Sequence, residues 1–332
     1  MHLRTRRRGA ALVAALALTT AACGSTSEQT GTDTAEAVSL SKLQIIAPAA
    51  PGGGWDSTSR AAQAVLEQEG LVDSAQVTNI AGAGGTIGLA RLADSDGEGG
   101  TLMTMGLVMV GAIETNASAA TLDDVTPIAR LTSEQEALVV PADSPFQTME
   151  EFVEAWKKDP GALAIAGGSA GGTDQIFAGL LAQAAGIDPK KVNYVAFSGG
   201  GEALAAILGG KVAAGISGVS EFVDQVSAGK MRALVVSGAE PVEGFDAPTA
   251  QASGLDVELE NWRGFVAPAG ISDADKQALT DAVEKMAASQ AWKDQMDKNG
   301  WDDAYQPADE FAAYLAEEKT RISAVLADLG LV

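Results

Sequence analysis

Histidine and cysteine are all but missing from this chain: its 332 residues hold one of each, His2 and Cys23. Everything after Cys23 lacks both imidazole and thiol. That excludes a Cys/His zinc site, and with it both the Ser-His-Asp and the Cys-His triads. Carboxylates, lysines, serines and tyrosines remain as candidate catalysts, so acid-base chemistry stays open while most metal-dependent and triad hydrolases fall away. Positive charge is scarce too. Without Arg4, Arg6, Arg7 and Arg8, 18 basic residues face 44 acidic ones, a net charge of −26. So acidic a chain repels nucleic acid and anionic headgroups, and no nucleic-acid partner is expected. Nucleotide loops are also absent. No Gly-x-x-x-x-Gly-Lys-Ser/Thr occurs, and the run from Gly82 to Thr86 fails Gly-x-Gly-x-x-Gly because Ile87 stands at the last position. No cofactor is expected.

The N-terminus reads as an address. A basic head is followed by an uncharged apolar run over residues 9–18, too short to span a bilayer, and then by Thr20-Ala21-Ala22-Cys23. Residues 1–22 are expected to be an export signal. Cys23 is then either the site of lipid attachment, the preferred reading since an odd exposed thiol invites unwanted pairing, or the first residue left by a plain secretory cut. Residues 23–40, rich in Ser, Thr, Gly and Glu, are too polar to build a core and read as a tether.

About 290 residues remain, enough for two lobes. Short apolar runs over 43–48, 76–80, 101–105, 138–141, 163–166, 193–197, 212–216 and 231–237 read as buried strands, with amphipathic helices between them. Thr148 with Glu151, and Ser272 with Asp275, mark helix starts. From Phe311 to Leu329 an apolar stripe keeps helical spacing. Such alternation predicts an α/β fold with mostly parallel sheets flanked by helices.

One unit occurs twice. Ile45-Ile46 runs through Ala49-Ala50-Pro51-Gly52-Gly53-Gly54-Trp55-Asp56 into a helix, and Ala164-Ile165 runs through Gly167-Gly168-Ser169-Ala170-Gly171-Gly172-Thr173-Asp174 into another. Two further glycine turns follow strands, one from Asn79 to Thr86 and one from Phe197 to Gly201. Turns of this kind aim main-chain N–H groups, backed by a helix dipole, at a ligand outside the strand ends, and therefore suit an anion. Asp56 and Asp174 are expected to cap their helices. Ser217 and Ser220, after the seventh strand, either line the cleft floor or cap the next helix. Arg60, Arg91 and Arg263 read more readily as salt-bridged or structural than as ligand-binding, and Met103, Met105 and Met109 as core.

The Pro51-Gly52-Gly53-Gly54-Trp55-Asp56 turn, the Gly82-Ala83-Gly84-Gly85-Thr86 turn and the Trp262-Arg263-Gly264 segment, in that order and spacing, resemble the substrate-binding receptors of tripartite tricarboxylate transporters. The resemblance runs from about Leu43 to the C-terminus. It implies a two-lobe periplasmic-binding-protein-like fold whose chain crosses between lobes twice, with residues 41–136 and 250–332 in one lobe and 137–249 in the other. It further implies a cleft that closes on a small organic di- or tricarboxylate. Carried over by motif, Ala50, Gly52, Gly53, Gly54, Trp55 and Asp56, with Gly84, Gly85 and Thr86, form one wall; Ser169, Thr173, Asp174, Ser198 and Gly199 form the other. Trp55 is equally readable as a roof over the ligand or as packing. The expected role is a membrane-anchored extracytoplasmic receptor serving integral membrane transporter subunits. The rivals are an extracytoplasmic enzyme with Asp56 or Asp174 as general base, a solute sensor for a signalling partner, and a purely structural surface lipoprotein.

Overall fold

The computed structural model describes residues 40–197 and 200–332. The expected export signal, Cys23, the tether as far as residue 39, and Ser198 and Gly199 lie outside the described residues.

Strand and helix alternate from the start. β1 (Leu43–Ala47), α1 (Gly54–Gln68), β2 (Ala75–Asn79), α2 (Thr86–Ala93), β3 (Thr101–Gly106), α3 (Leu107–Thr115) and β4 (Val125–Ser133) come first. Next are β5 (Glu136–Pro141), α4 (Met149–Lys158), β6 (Ile165–Gly167), α5 (Thr173–Ala184), β7 (Tyr194–Ala196), α6 (Gly200–Leu208), β8 (Ala214–Gly218), α7 (Val219–Ser227) and β9 (Met231–Val236). The chain ends with β10 (Arg263–Pro268), α8 (Asp273–Ala288), α9 (Gln290–Asn299), β11 (Asp302–Pro307) and α10 (Ala308–Leu329).

Two sheets result, a six-stranded one in the order β11-β4-β10-β3-β1-β2 and a five-stranded one in the order β7-β6-β8-β5-β9. The chain passes from the first to the second at Glu134–Gln135 and back through residues 237–262. Both sheets are mixed, which corrects the expectation of largely parallel ones. β1 runs parallel to β2 and β3, and β6 to β7 and β8, but β10 is antiparallel to β3 and β4, β11 to β4, and β5 to β8 and β9. The cause is where the crossings arrive. β5 and β10 enter their sheets at the edge where the parallel strands end, since Glu136 pairs with Gly218 and Arg263 with Gly106. A strand entering there runs against its neighbours.

Local signals set the helix starts. Thr148 accepts a hydrogen bond from the Glu151 N–H (3.3 Å), while the Glu151 carboxylate accepts from Gln147, one residue before the cap (2.6 Å). Ser272 caps α8 through Asp275 N–H (3.1 Å). In α10, Phe311, Leu315, Ile322, Leu326 and Leu329 are buried as their spacing predicts. Leu329 abuts Gly179 of α5, where a Cβ would fall 2.6 Å from it, so this helix packs on both halves of the chain. Trp262, at the end of the return crossing, stacks edge-on against Phe311 and Tyr314 of α10 and donates its indole N–H to Glu318 (2.9 Å). Met103, Met105 and Met109 are fully buried, as core should be.

Candidate functional site

Each glycine turn starts where a parallel strand stops, so the turns gather along facing sheet edges. Between them lies a cavity of about 650 Å³ lined by Ala50, Gly53, Gly54 and Trp55 of the first turn and by residues 81–85 of the second. From the other side it is lined by Gly168, Ser169, Ala170, Gly172 and Asp174, and by Phe197 and Gly200 of the fourth turn. Of the residues singled out in the sequence, Ala50, Gly53, Gly54, Trp55, Gly84, Gly85, Ser169, Asp174 and Ser217 line this cavity.

The first turn is clamped from within its own helix. α1 begins after Gly53 with no side-chain cap, and Asp56, expected as a cap, instead sits inside the first turn and reaches back. Its carboxylate accepts from Gly52 N–H (2.9 Å), Arg60 Nε (3.0 Å) and Asn79 Nδ2 (2.8 Å). Burial opposes ionisation of Asp56, but donors from Arg60, Gly52 and Asn79 outweigh it and hold its pKa below the ordinary value. A general base needs the reverse, so Asp56 is a bracket for the turn. Asn79 also donates to Ala49 O (3.0 Å), tying the end of β2 to the same bracket. The leading N–H groups of α1, at Gly54 and Trp55, have no intrahelical acceptor by position and border the cavity.

The second turn holds four consecutive positive φ angles, at Gly82 (+130°), Ala83 (+48°), Gly84 (+60°) and Gly85 (+92°). At Gly85 the requirement for glycine is double: the left-handed backbone disfavours a Cβ, and a Cβ would lie 2.6 Å from the Trp55 ring. Trp55 is thus packed beneath the second turn with one edge on the cavity. Asn116 and Thr86 both donate to Ala83 O and fix the bend.

The matching turn of the second sheet is built differently. Asp174, also expected as a cap, lies inside the first turn of α5 and accepts from Gly168 N–H (2.7 Å). Gly171 N–H donates to Gln175 Oε1 (2.7 Å) and Gly172 N–H to Ser169 O (2.9 Å). Three of its amides are therefore already used internally.

Several expected residues do not face the cavity. Gly52 donates to Asp56, Thr86 to Ala83 O, and Ser220 Oγ to Glu134 Oε1 (2.7 Å). Thr173 is fully buried and its hydroxyl has no partner among the described residues. Neither Ser217 nor Ser220 caps α7, whose cap is Gly218.

Sequence spacing gives no sign of the charged floor of the site. Arg263, expected to be structural, is 4 % exposed and lines the cavity. Its Nη2 lies 2.6 Å from Glu134 Oε2, and a Cβ on Gly54 would fall 2.6 Å from the same nitrogen. Its Nη1 has no hydrogen-bond partner among the described residues. Around it stand Glu136, Asp174 and Glu221. Burial, then the charges of Asp174, Glu134 and Glu221, push the Glu136 carboxyl far above its ordinary pKa. Burial chiefly raises Asp174 to about 6, and burial followed by Asp174 and Glu134 raises Glu221 to about 7. Asn261 donates to Glu136 (2.8 Å) and itself lines the cavity.

A two-lobed α/β fold with a polar cleft between mixed sheets is the architecture of the periplasmic solute-binding proteins. Residues 59–331 match the family described as the tripartite tricarboxylate transporter family receptor, and the chain belongs to that family. It is 25% identical over 298 residues to Protein BugT of Bordetella pertussis, spanning 87% of this chain and 89% of that protein. It is 26% identical to a TctC solute-binding protein from Polaromonas, with a TM-score of 0.66 over 86% of this chain and 98% of that one. MatC from Rhodopseudomonas palustris, solved with bound malate, shares the fold at 24% identity and a TM-score of 0.74, over 86% of this chain and 98% of MatC. Among the described residues no helix is long and apolar enough to cross a membrane.

Proposed function

We propose that this protein is the extracytoplasmic receptor of a tripartite tricarboxylate-type transporter. In this reading it captures a small organic di- or tricarboxylate by lobe closure and hands it to integral membrane subunits. Cys23 carries the lipid anchor, and residues 41–136 with 250–332 close against 137–249. The carrying observation is the meeting of both halves of the chain around one cavity of about 650 Å³ lined by Arg263, whose buried Nη1 has no hydrogen-bond partner among the described residues. A carboxylate seated there accepts from Arg263 and from the Gly54 and Trp55 amides, interactions that a main-chain anion site and a charge-assisted bond both favour. Contacts to Ser169 and Ser217 on the facing side are complete only when the lobes approach, and that difference in contact drives closure. The malate carried by MatC, and the adipate carried by another structural relative from Rhodopseudomonas palustris, are of the size and chemistry this reading requires. Asp56 is fully occupied by its donors, and the match to a receptor family supports binding over catalysis.

Isothermal titration calorimetry against a panel of carboxylates, with sugars as controls, tests it. Saturable heat with at least one carboxylate, lost in Arg263→Met, is the expected result. Heat with sugars and with no carboxylate at all overturns it.

A further inference from the structure

Four carboxyls share one guanidinium at the floor of the cavity. Glu134 is paired with Arg263, its other oxygen accepts from Ser220 (2.7 Å), and it lies so close to the end of β8 that a Cβ on Gly218 would collide with it. Glu136 enters from β5, Asp174 from α5 and Glu221 from α7. Glu221 and Ser217 together fill the space that a Cβ on Gly200 would need. Arg263 is the only cation among the described residues that line the cavity, and of the four carboxyls Asp174 and Glu221 line it with Arg263. The other groups nearby are committed elsewhere. Glu136 is fully buried, accepts from Asn261 (2.8 Å) and is not part of the lining. Tyr194 faces Asp174 from β7, but its hydroxyl donates to Gly168 O (2.9 Å), and burial pushes its pKa well above the ordinary value. Glu202 borders the same space from α6.

Arg263 therefore serves two masters once a solute arrives. In the empty cavity its positive charge acts on Asp174, Glu136 and Glu221 and offsets part of what burial does to them. A solute carboxylate seated on the guanidinium cancels that offset and brings a further negative charge into the same partly desolvated space, where like charges repel more strongly than in water. The lining carboxyls can relieve the repulsion by taking a proton from the medium. That response is cheap here: burial already holds Asp174 at about 6 and Glu221 at about 7, so a small further rise carries either of them through neutrality.

Resting on the receptor reading above, we infer that the cavity binds a proton together with its solute: a carboxylate arriving on Arg263 draws a proton from the medium onto Asp174 or Glu221. The sign follows from linkage. A site that gains a proton on binding holds its solute more tightly as pH falls through the window in which that proton is taken up, and loses this advantage above it. Capture is then favoured in a mildly acidic medium, and the complex carries one negative charge fewer than the sum of receptor and solute.

Calorimetry in paired buffers counts the proton. The probe is the tightest binder among a panel of succinate, malate, adipate and other plain carboxylates that are fully ionised at neutral pH. It is titrated into the intact wild-type chain at about pH 7.5 in Hepes and in Tris, which differ widely in protonation heat, and again across about pH 6.5 to 8.5. The expected result is net uptake of a fraction of a proton up to roughly one per solute, with the apparent affinity falling at least ~3-fold from the acid to the alkaline end. Glu221→Gln and Asp174→Asn, each checked for a wild-type-like melting transition, should each take up less. If the wild type binds a carboxylate with no proton uptake, or with release, and its affinity is flat across the range, this inference fails and the receptor reading stands. Undiminished uptake in both folded variants also overturns it, since the proton then goes elsewhere. If no carboxylate binds at all, the receptor reading fails and takes this one with it. The wild-type proton count is decisive even where a variant does not fold.

Discussion

Arg263 and Glu134 form a buried ion pair, Nη2 to Oε2 at 2.6 Å, where the two passages of chain between the sheets touch. Beside it the passages also bond through their main chains: Asn261 N–H donates to Glu134 O (2.9 Å) and Glu134 N–H to Asn261 O (3.2 Å). The pair thus does two things. It holds the crossings together, and it orients a guanidinium that belongs to the lining of the cavity.

A buried pair is costly to break from one side, because the surviving charge stays desolvated and alone. Glu134→Gln is expected to lower stability by about 3 kcal/mol, and Arg263→Met by a similar amount. The double variant should lose less than the sum, since it leaves no orphan charge. Urea unfolding of the three variants measures the coupling. Strict additivity would mean that the two side chains do not depend on one another.

The first and second turns offer a matched comparison between backbone strain and packing. Gly52 and Gly85 have nearly the same φ, +89° and +92°. A Cβ on Gly52 would meet nothing within 4 Å, whereas one on Gly85 would meet the Trp55 ring at 2.6 Å and Met109 Cε at 2.9 Å. Gly52→Ala should therefore cost only the left-handed backbone penalty, about 1 kcal/mol. Gly85→Ala should cost that and a further 1–3 kcal/mol, roughly, for overpacking. It should also weaken ligand binding, because Trp55 must move. Equal losses in thermal unfolding would show that Trp55 yields freely.

The strands that feed the glycine turns are legible in the sequence because each is a short apolar run bounded by turn residues. β4 and β11 are not. β4 carries Pro127, tolerated because a register shift falls where it faces Val266, so its sequence lacks an unbroken strand pattern. β11 is an edge strand with no fully buried side chain, and a strand that buries nothing carries no hydrophobic period. The turns themselves are visible as glycine clusters, and four of them do border one cavity. The acidic floor is invisible for another reason. Glu134 and Arg263 are 129 positions apart, and Asp174 and Glu221 join them only through the sheet order, so no local spacing announces the cluster. Asp56 and Asp174 fall three and two positions beyond the true helix caps, Gly53 and Gly172. Residue type alone suggests a capping role for both, but with glycine already at the cap each carboxylate is free to reach back into its turn.

The same cluster predicts how stability depends on pH. Asp174 and Glu221 are raised in the folded chain to about 6 and about 7 from ordinary carboxyl values, and burial raises Glu136 well above its own. Between the unfolded and folded values the folded chain binds protons that the unfolded chain has released. Stability therefore falls as pH rises through this window, from about pH 4.5 to above 7. The contribution is full below it and lost above it. Asp56, held low by its donors, acts in the opposite sense and only in acid: its contribution is present at neutrality and is lost as pH drops below the ordinary carboxyl range. The ligand-free chain should consequently be most stable near pH 5, and its melting temperature should drop by several degrees on going to about pH 8, on the order of 2 kcal/mol each for Asp174 and Glu221. Glu221→Gln and Asp174→Asn, which cannot ionise, should each flatten the slope. Differential scanning calorimetry across that range checks it, and a melting temperature that climbs from pH 5 to 8 in the ligand-free protein would show that these carboxyls are already ionised in the folded cavity.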